Sequence, residues 1–228
     1  MTPGSTDRCS NHLSYAHRAA NSILGKRPLG VNADPLRYGK SMRRVLLLIV
    51  ALAPVLAQST PLTTAAREGL LTLLIAPGGA YQSYALYAKA LSILGPSEPY
   101  RHFLDGERAK IEQVKQRLRD YGVTYPEKNP YLGTLSLPKN PDALARMALS
   151  LETKSTYLEK RLGRVFQDYE DLYRFVKTLE AADQTQAKIL KMAIAQGGTL
   201  GIDVVRGLAK ERQGDPVCVF VFGKGLCP

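Results

Sequence analysis

Several acidic side chains fall on helix faces where apolar residues are expected. Glu107 lies on the apolar stripe of its predicted helix, one step after Leu104 and one step before Ile111. Glu180 and Asp183 lie on or beside the apolar stripe of another predicted helix. An ionised carboxylate in a protein interior is costly unless it is paired, protonated or bound to a metal. The sequence therefore predicts a polar centre inside a helical protein.

Two further residues extend this set: Glu152, at the margin of a third apolar stripe, and Lys110, one turn after Glu107. Two interpretations are open. In the first, Lys110 pairs with Glu107 and with Glu152, Glu180 or Asp183, and a buried ion network forms without a metal. In the second, the four acids bind one hard divalent cation through oxygen ligands alone.

Pro and Gly residues separate the helices that must position these side chains. Four amphipathic blocks are predicted, spanning 63–94, 98–121, 141–164 and 167–195. The first block is broken or kinked at Pro77-Gly78-Gly79, and Asn140-Pro141 supplies a cap for the third. A Pro- and Gly-rich connection joins the second and third blocks. We predict an all-α four-helix bundle with one long crossover, over residues 58–196.

The segment from Met42 has the composition of a secretory signal peptide. Two arginines are followed by an apolar run and by small residues up to Ala57, which predicts cleavage between Ala57 and Gln58. We therefore expect an exported protein of the periplasm, cell envelope or extracellular space. For residues 1–41, either translation starts at Met42 or this leader is a processed or disordered tail.

Residues 197–228 form a predicted C-terminal appendage. A short helix is expected over 202–212, and the weakly alternating segment 217–227 contains Gly-Lys-Gly, which favours a small hairpin. Cys218 and Cys227 flank its turn. In an oxidising compartment, two cysteines in this position predict a disulfide that closes the hairpin.

Cleavage after Ala57 changes the charge of the product. The first 57 residues hold 8 of the 31 Lys and Arg and 2 of the 20 Asp and Glu, so the rest carries 23 basic and 18 acidic residues, a net +5. That value disfavours nucleic acid as a partner. Only His102 of the three histidines remains, which excludes a multi-histidine zinc site in the product.

Inward acids from several helices are typical of ferritin-like di-metal proteins, and the chain resembles that superfamily. It is similar to a family of small bacterial domains of uncharacterised function. The resemblance covers about 62–190. It is carried by four segments, Glu107-Arg108-Ala109-Lys110, Arg119-Asp120-Tyr121-Gly122-Val123, Leu151-Glu152 and Glu180-Ala181-Ala182-Asp183.

The chain departs from the family pattern at its metal ligands. The family's first helix opens with a run of glutamates, where this chain has Gly78-Gly79-Ala80-Tyr81-Gln82. The two histidines of the pattern are Lys110 and Asp183 here. A protonated lysine repels a metal ion instead of binding it. The resemblance therefore implies a ferritin-like bundle with a degenerate metal site.

We weigh three functions for these residues and favour the first, with the other two as alternatives. The first is a non-enzymatic, exported bundle without a cofactor, which acts as an interaction or structural module with an envelope protein or a second copy. The second is a metal-binding protein, either an oxidoreductase or a metal store, holding Mn, Fe or Ca. The third is an envelope protein that binds DNA or another polyanion.

Overall fold

The computed structural model describes residues 61–227, and these residues are all-α, as predicted. Seven helices follow in order: α1 Thr64–Ile75, α2 Ala80–Leu94, α3 Tyr100–Asp120, α4 Pro141–Val165, α5 Glu170–Ala195, α6 Ile202–Lys210 and α7 Val217–Phe222. None of them is long and apolar enough to cross a membrane. The predicted leader, the signal peptide and its cleavage site at Ala57 and Gln58 lie outside the described residues.

The predicted break in the first block separates α1 from α2. Gly78 adopts a φ of 87°, which favours glycine. A Cβ on Gly79 would lie only 2.9 Å from the carbonyl oxygen of Leu73. The Gln82 side chain accepts a 2.8 Å hydrogen bond from the backbone N–H of Gly78. The chain therefore turns sharply here, and the second helix starts in a new direction.

The long connection between α3 and α4 is tied to the helices before it. The Tyr81 hydroxyl donates to the carbonyl of Pro126 at 2.7 Å, and the Tyr131 hydroxyl donates to the carbonyl of Ile75 at 2.9 Å. At its end, the Asn140 side chain accepts from the backbone N–H of Ala143 and caps α4. This connection thus holds α4 in place against the earlier helices.

The helices share one apolar interior. Helix α4 packs along α5, α2 packs along α3 and against α4, and α1 contacts α2, α3 and α4. The rings of Tyr87, Tyr100 and Phe103 meet in this interior, with centroids 6.3 Å and 5.4 Å from that of Tyr87. Helices α2 to α5 therefore enclose the space into which the predicted acids project.

The C-terminal segment is a helix and a turn, not the predicted hairpin. Nearly every residue of α7 is buried: Val217, Cys218, Phe220, Val221 and Phe222. A half-exposed strand would bury only every second residue, so the weak alternation of the sequence does not indicate a strand here. Helix α7 packs against α3 and α5. The predicted disulfide between Cys218 and Cys227 is present, with Cα atoms 5.7 Å apart. It closes the turn that follows α7.

Candidate metal centre

Five charged side chains from three helices meet in the interior. Helix α3 contributes Glu107 and Lys110, α4 contributes Glu152 and Glu159, and α5 contributes Asp183; each is at most 3% exposed. The pairs on α3 and α4 are three and seven residues apart, spacings that place both members on one helix face. We call these five residues the carboxylate centre.

Lys110 connects two of the helices. Its ammonium lies 2.9 Å from Oε1 of Glu107 on the same helix and contacts Oδ1 of Asp183 on α5. Burial lowers the pKa of Lys110, but the charges of Asp183 and Glu107 raise it by more, so the pKa ends well above its ordinary value. The two carboxylates therefore favour the charged form of Lys110 inside the protein.

Glu152 is oriented by a tyrosine from α2. The Tyr87 hydroxyl donates a 2.5 Å hydrogen bond to Oε1 of Glu152, and both residues are fully buried. Burial raises the pKa of Tyr87 well above its ordinary value, and the negative charge of Glu152 raises it further. The phenol thus keeps its proton and acts as a fixed donor to one oxygen of Glu152.

Several carboxylate oxygens in the centre have no hydrogen-bond partner among the described residues. They include Oε2 of Glu107, Oε2 of Glu152, Oε2 of Glu159 and Oδ2 of Asp183. One carboxylate oxygen each from Glu107, Glu152 and Asp183 lie within 4.8 Å of one another. Buried polar atoms normally have partners. Carboxylate oxygens that lie this close together are the ligand type that hard divalent cations prefer.

The charges in the centre are unbalanced, since four carboxyl groups face one ammonium. Burial raises the pKa of Glu107 to about 7, with Lys110 opposing and Asp183 adding to the rise. Burial likewise raises the pKa values of Glu152 and Glu159 well above the ordinary value, and Asp183 adds to both. Without further positive charge, the centre must therefore retain protons at neutral pH.

Four of the five residues predicted from the sequence come together here: Glu107, Lys110, Glu152 and Asp183. Glu180 does not, although the sequence places it in the same set. Its Oε2 accepts from Lys177 at 2.6 Å and its Oε1 accepts from Gln184 at 3.1 Å. Because both partners are neighbours on α5 and the Lys177 side chain is 47% exposed, Glu180 belongs to the edge of the apolar stripe.

Glu159 is the member of the centre that the sequence interpretation missed. It lies seven residues after Glu152, between Leu158 and Leu162, which are both buried. Residues seven apart lie on the same helix face, so the spacing from Glu152 could have predicted that Glu159 also faces the interior. The fourth acid of the centre is therefore Glu159 and not Glu180.

The donor set fits an oxygen-ligated cation and does not fit a histidine-ligated one. His102 is the only histidine within 61–227, and its Nε2 faces Glu98 at 3.4 Å, outside the carboxylate centre. Zinc and di-iron sites of the usual kind draw on imidazole or thiolate ligands. The residues that can hold a cation here are Glu107, Glu152 and Asp183, with Glu159 beside them.

The C-terminal segment closes one side of the centre. The buried Gln186 of α5 donates to the carbonyl of Phe220 at 3.4 Å. A Cβ on Gly106, next to Glu107, would lie 2.3 Å from that same carbonyl oxygen. Helix α7 therefore rests directly on the backbone of α3 and keeps solvent from this side of the acids.

Comparison of the chain with protein-family models, with characterised proteins and with solved structures finds no match. The carboxylate centre is thus the feature on which a functional conclusion rests.

Proposed function

We propose that this protein binds one hard divalent cation, such as Mn²⁺, in the carboxylate centre. The proposal is carried by two observations: one carboxylate oxygen each from Glu107, Glu152 and Asp183 lie within 4.8 Å of one another, and each of these buried carboxyl groups has an oxygen without a hydrogen-bond partner among the described residues. Oxygen-only ligand sets are typical of Mn²⁺, Ca²⁺ and Mg²⁺ sites, whereas Zn²⁺ and Cu²⁺ sites usually contain imidazole or thiolate ligands. The resemblance to ferritin-like proteins bears on the fold, with α2 to α5 as the four helices of the proposed bundle, and the proposed cation site would lack the histidine ligands of that pattern.

The charge imbalance supports this proposal over a purely internal ion network. Lys110 offsets one of the four acids, so three carboxyl groups are left either to retain protons or to share another cation. A divalent cation would allow two more of them to ionise in the interior. Such a cation would contribute positive charge and, if it were Mn²⁺ or Fe²⁺, Lewis-acid or one-electron chemistry.

The protein's own groups would orient the ligands. Tyr87 holds one oxygen of Glu152, and Lys110 holds one oxygen each of Glu107 and Asp183. Partners of this kind fix the direction of a ligand and tune its basicity. In the proposed site, the oxygens that these partners leave free would be the ligands of the cation.

A second candidate is a metal-free bundle that serves as an interaction or structural module of the cell envelope. The contacts of Lys110 with both Glu107 and Asp183 favour it, because they already form a paired network across α3 and α5. In this case Glu152 and Glu159 remain protonated. Removing one partner of a buried pair is destabilising by about 3–5 kcal/mol, so the metal-free candidate requires Lys110 for stability, and the two candidates differ in metal content.

Export to the envelope or beyond is part of both candidates, on the strength of the predicted signal peptide. Expression of the full chain in a bacterial host with an export pathway, followed by N-terminal sequencing, tests it. The expected N-terminus of the exported product is Gln58. A product that stays in the cytoplasm and retains Met42 would contradict export.

Refolding in the presence of defined cations separates the two candidates. The purified protein is unfolded, refolded with Mn²⁺, Ca²⁺, Mg²⁺ or Fe²⁺, desalted and measured by elemental analysis. The proposal predicts one ion per chain. Glu152→Gln is expected to lose the ion, whereas the matched variant Glu180→Gln, at a carboxylate outside the centre, is expected to retain it.

A further inference from the structure

The position of Lys110 has a consequence for how many cations the centre holds. Its ammonium bridges two carboxylates from different helices, Glu107 of α3 and Asp183 of α5. Its side chain is 4% exposed, so water screens these interactions little. The charges of Glu159 and Glu152 act on it as well. Lys110 thus lies among all four acids. Their negative charges would attract a second metal ion to this position if the ammonium were absent.

Glu107 and Asp183 each divide their two oxygens between two directions. Oε1 of Glu107 and Oδ1 of Asp183 are directed to the ammonium. Oε2 and Oδ2 have no hydrogen-bond partner within residues 61–227. A carboxylate with one oxygen on a cation and the other open to a second cation is a bridging ligand. Glu107 and Asp183 could therefore each contact the Lys110 ammonium and a metal ion at the same time.

We propose that Lys110 is a resident cation that limits the carboxylate centre to one divalent ion, and that its removal opens a second cation position. This inference rests on the proposed function. With four ionised acids, one ammonium and one divalent ion leave a single negative charge, whereas two divalent ions leave none. The charge of the centre thus favours a second divalent ion once the ammonium is gone, and Lys110 sets the stoichiometry.

The test is the Mn²⁺ content of refolded Lys110→Ala, compared with the parent and with Lys177→Ala. Lys177 is a matched control because it pairs with Glu180, outside the centre. Removal of the Lys110 side chain leaves space as well as charge for an ion. Elemental analysis is expected to give one Mn²⁺ per chain for the parent and for Lys177→Ala, and two for Lys110→Ala.

Electron paramagnetic resonance gives an independent measurement of the same difference. A single Mn²⁺ in the parent is expected to show an isolated six-line signal. Two Mn²⁺ bridged by the same carboxylates in Lys110→Ala are expected to couple, so that this signal is lost while the Mn²⁺ content doubles. An unchanged six-line signal at one ion per chain in folded Lys110→Ala would overturn the inference and leave the proposed function intact.

Two further outcomes are distinguishable. A folded parent that retains no Mn²⁺ contradicts the proposed function. It then also contradicts the proposal that Lys110 limits the number of bound ions. If Lys110→Ala does not fold without metal, it is refolded across a range of Mn²⁺ concentrations. Recovery of the fold with two ions per chain supports the inference, and failure to fold at every concentration overturns it, because divalent ions would then not replace the lost ammonium.

Discussion

The Tyr87 hydroxyl donates a 2.5 Å hydrogen bond to Glu152 in the closed interior between α2 and α4. The second oxygen of Glu152 has no partner among the described residues, and one oxygen of this carboxyl group lies within 4.8 Å of an oxygen of Glu107 and of an oxygen of Asp183. Helix α2 carries no acid of the centre, and it therefore takes part through a neutral donor. Through this hydrogen bond, the position of α2 affects the orientation of the Glu152 carboxyl group in the proposed site.

Replacement of Tyr87 by phenylalanine is expected to weaken both the fold and cation binding. The loss of a donor to a buried carboxylate should lower the free energy of unfolding by about 1–3 kcal/mol. Loss of a partner that orients a ligand should weaken Mn²⁺ affinity by about 10–100-fold. Chemical denaturation and Mn²⁺ titration measure the two effects.

Tyr100→Phe is the matched control. The Tyr100 hydroxyl donates to the carbonyl of Gly198 at 2.6 Å, which is not a group of the carboxylate centre. This variant should lose stability but bind Mn²⁺ as the parent does. Equal loss of affinity in both variants would show that Tyr87 acts only through general packing.

The stability of the metal-free protein should fall as the pH rises through the weakly acidic range. The folded-state pKa of Glu107 is about 7 against an ordinary value of 4.5, so the folded protein binds more protons than the unfolded chain between these two values. The contribution of Glu107 to stability is therefore largest below about pH 4.5. It decreases as the pH rises from there to about 7. Glu152 and Glu159, whose pKa values burial also raises, change stability in the same direction.

Thermal melting between pH 5 and pH 8, with and without Mn²⁺, measures this dependence. Saturating Mn²⁺ should reduce the decrease in melting temperature with rising pH, because the cation stabilises the ionised carboxylates. Glu107→Gln should also reduce it, since the group no longer titrates. A metal-free protein whose stability rises with pH over this range would contradict the burial of unpaired acids.

Gly106→Ala should displace α7 from α3. The added Cβ would lie 2.3 Å from the Phe220 carbonyl oxygen, which belongs to the backbone and cannot rotate away. Overpacking of this kind lowers stability by about 1–3 kcal/mol or more. Gly207→Ala in α6 is the control, because nothing lies within 4 Å of its Cβ and alanine favours a helix there. Denaturation should show a loss for the first and none for the second.

Much of the helical framework could be predicted from the sequence. The Asn140-Pro141 cap and the apolar stripe after it mark α4 to within a residue of its observed range, Pro141–Val165. The Pro77-Gly78-Gly79 turn separates α1 from α2 as expected. These elements are predictable because local sequence features define them: a capping residue, a helix-breaking Pro or Gly, or apolar residues spaced three and four apart.

The parts that were predicted incorrectly depend on tertiary contacts. The alternating segment Val217–Phe222 favours a strand locally, but burial on nearly all sides against α3 and α5 makes it a helix. Glu180 and Glu159 both lie near an apolar stripe, and periodicity alone does not decide which carboxylate turns inward. Glu180, although buried, accepts a hydrogen bond from the partly exposed Lys177, whereas the charges of Asp183 and Lys110 act on the buried Glu159.

The most direct test of the central claim is the metal content of the parent protein after refolding with Mn²⁺ and removal of excess ions. One Mn²⁺ per chain, retained in Glu180→Gln and lost in Glu152→Gln, is the predicted result. A folded parent that retains no Mn²⁺, Ca²⁺, Mg²⁺ or Fe²⁺ would contradict the claim that the carboxylate centre is a cation site.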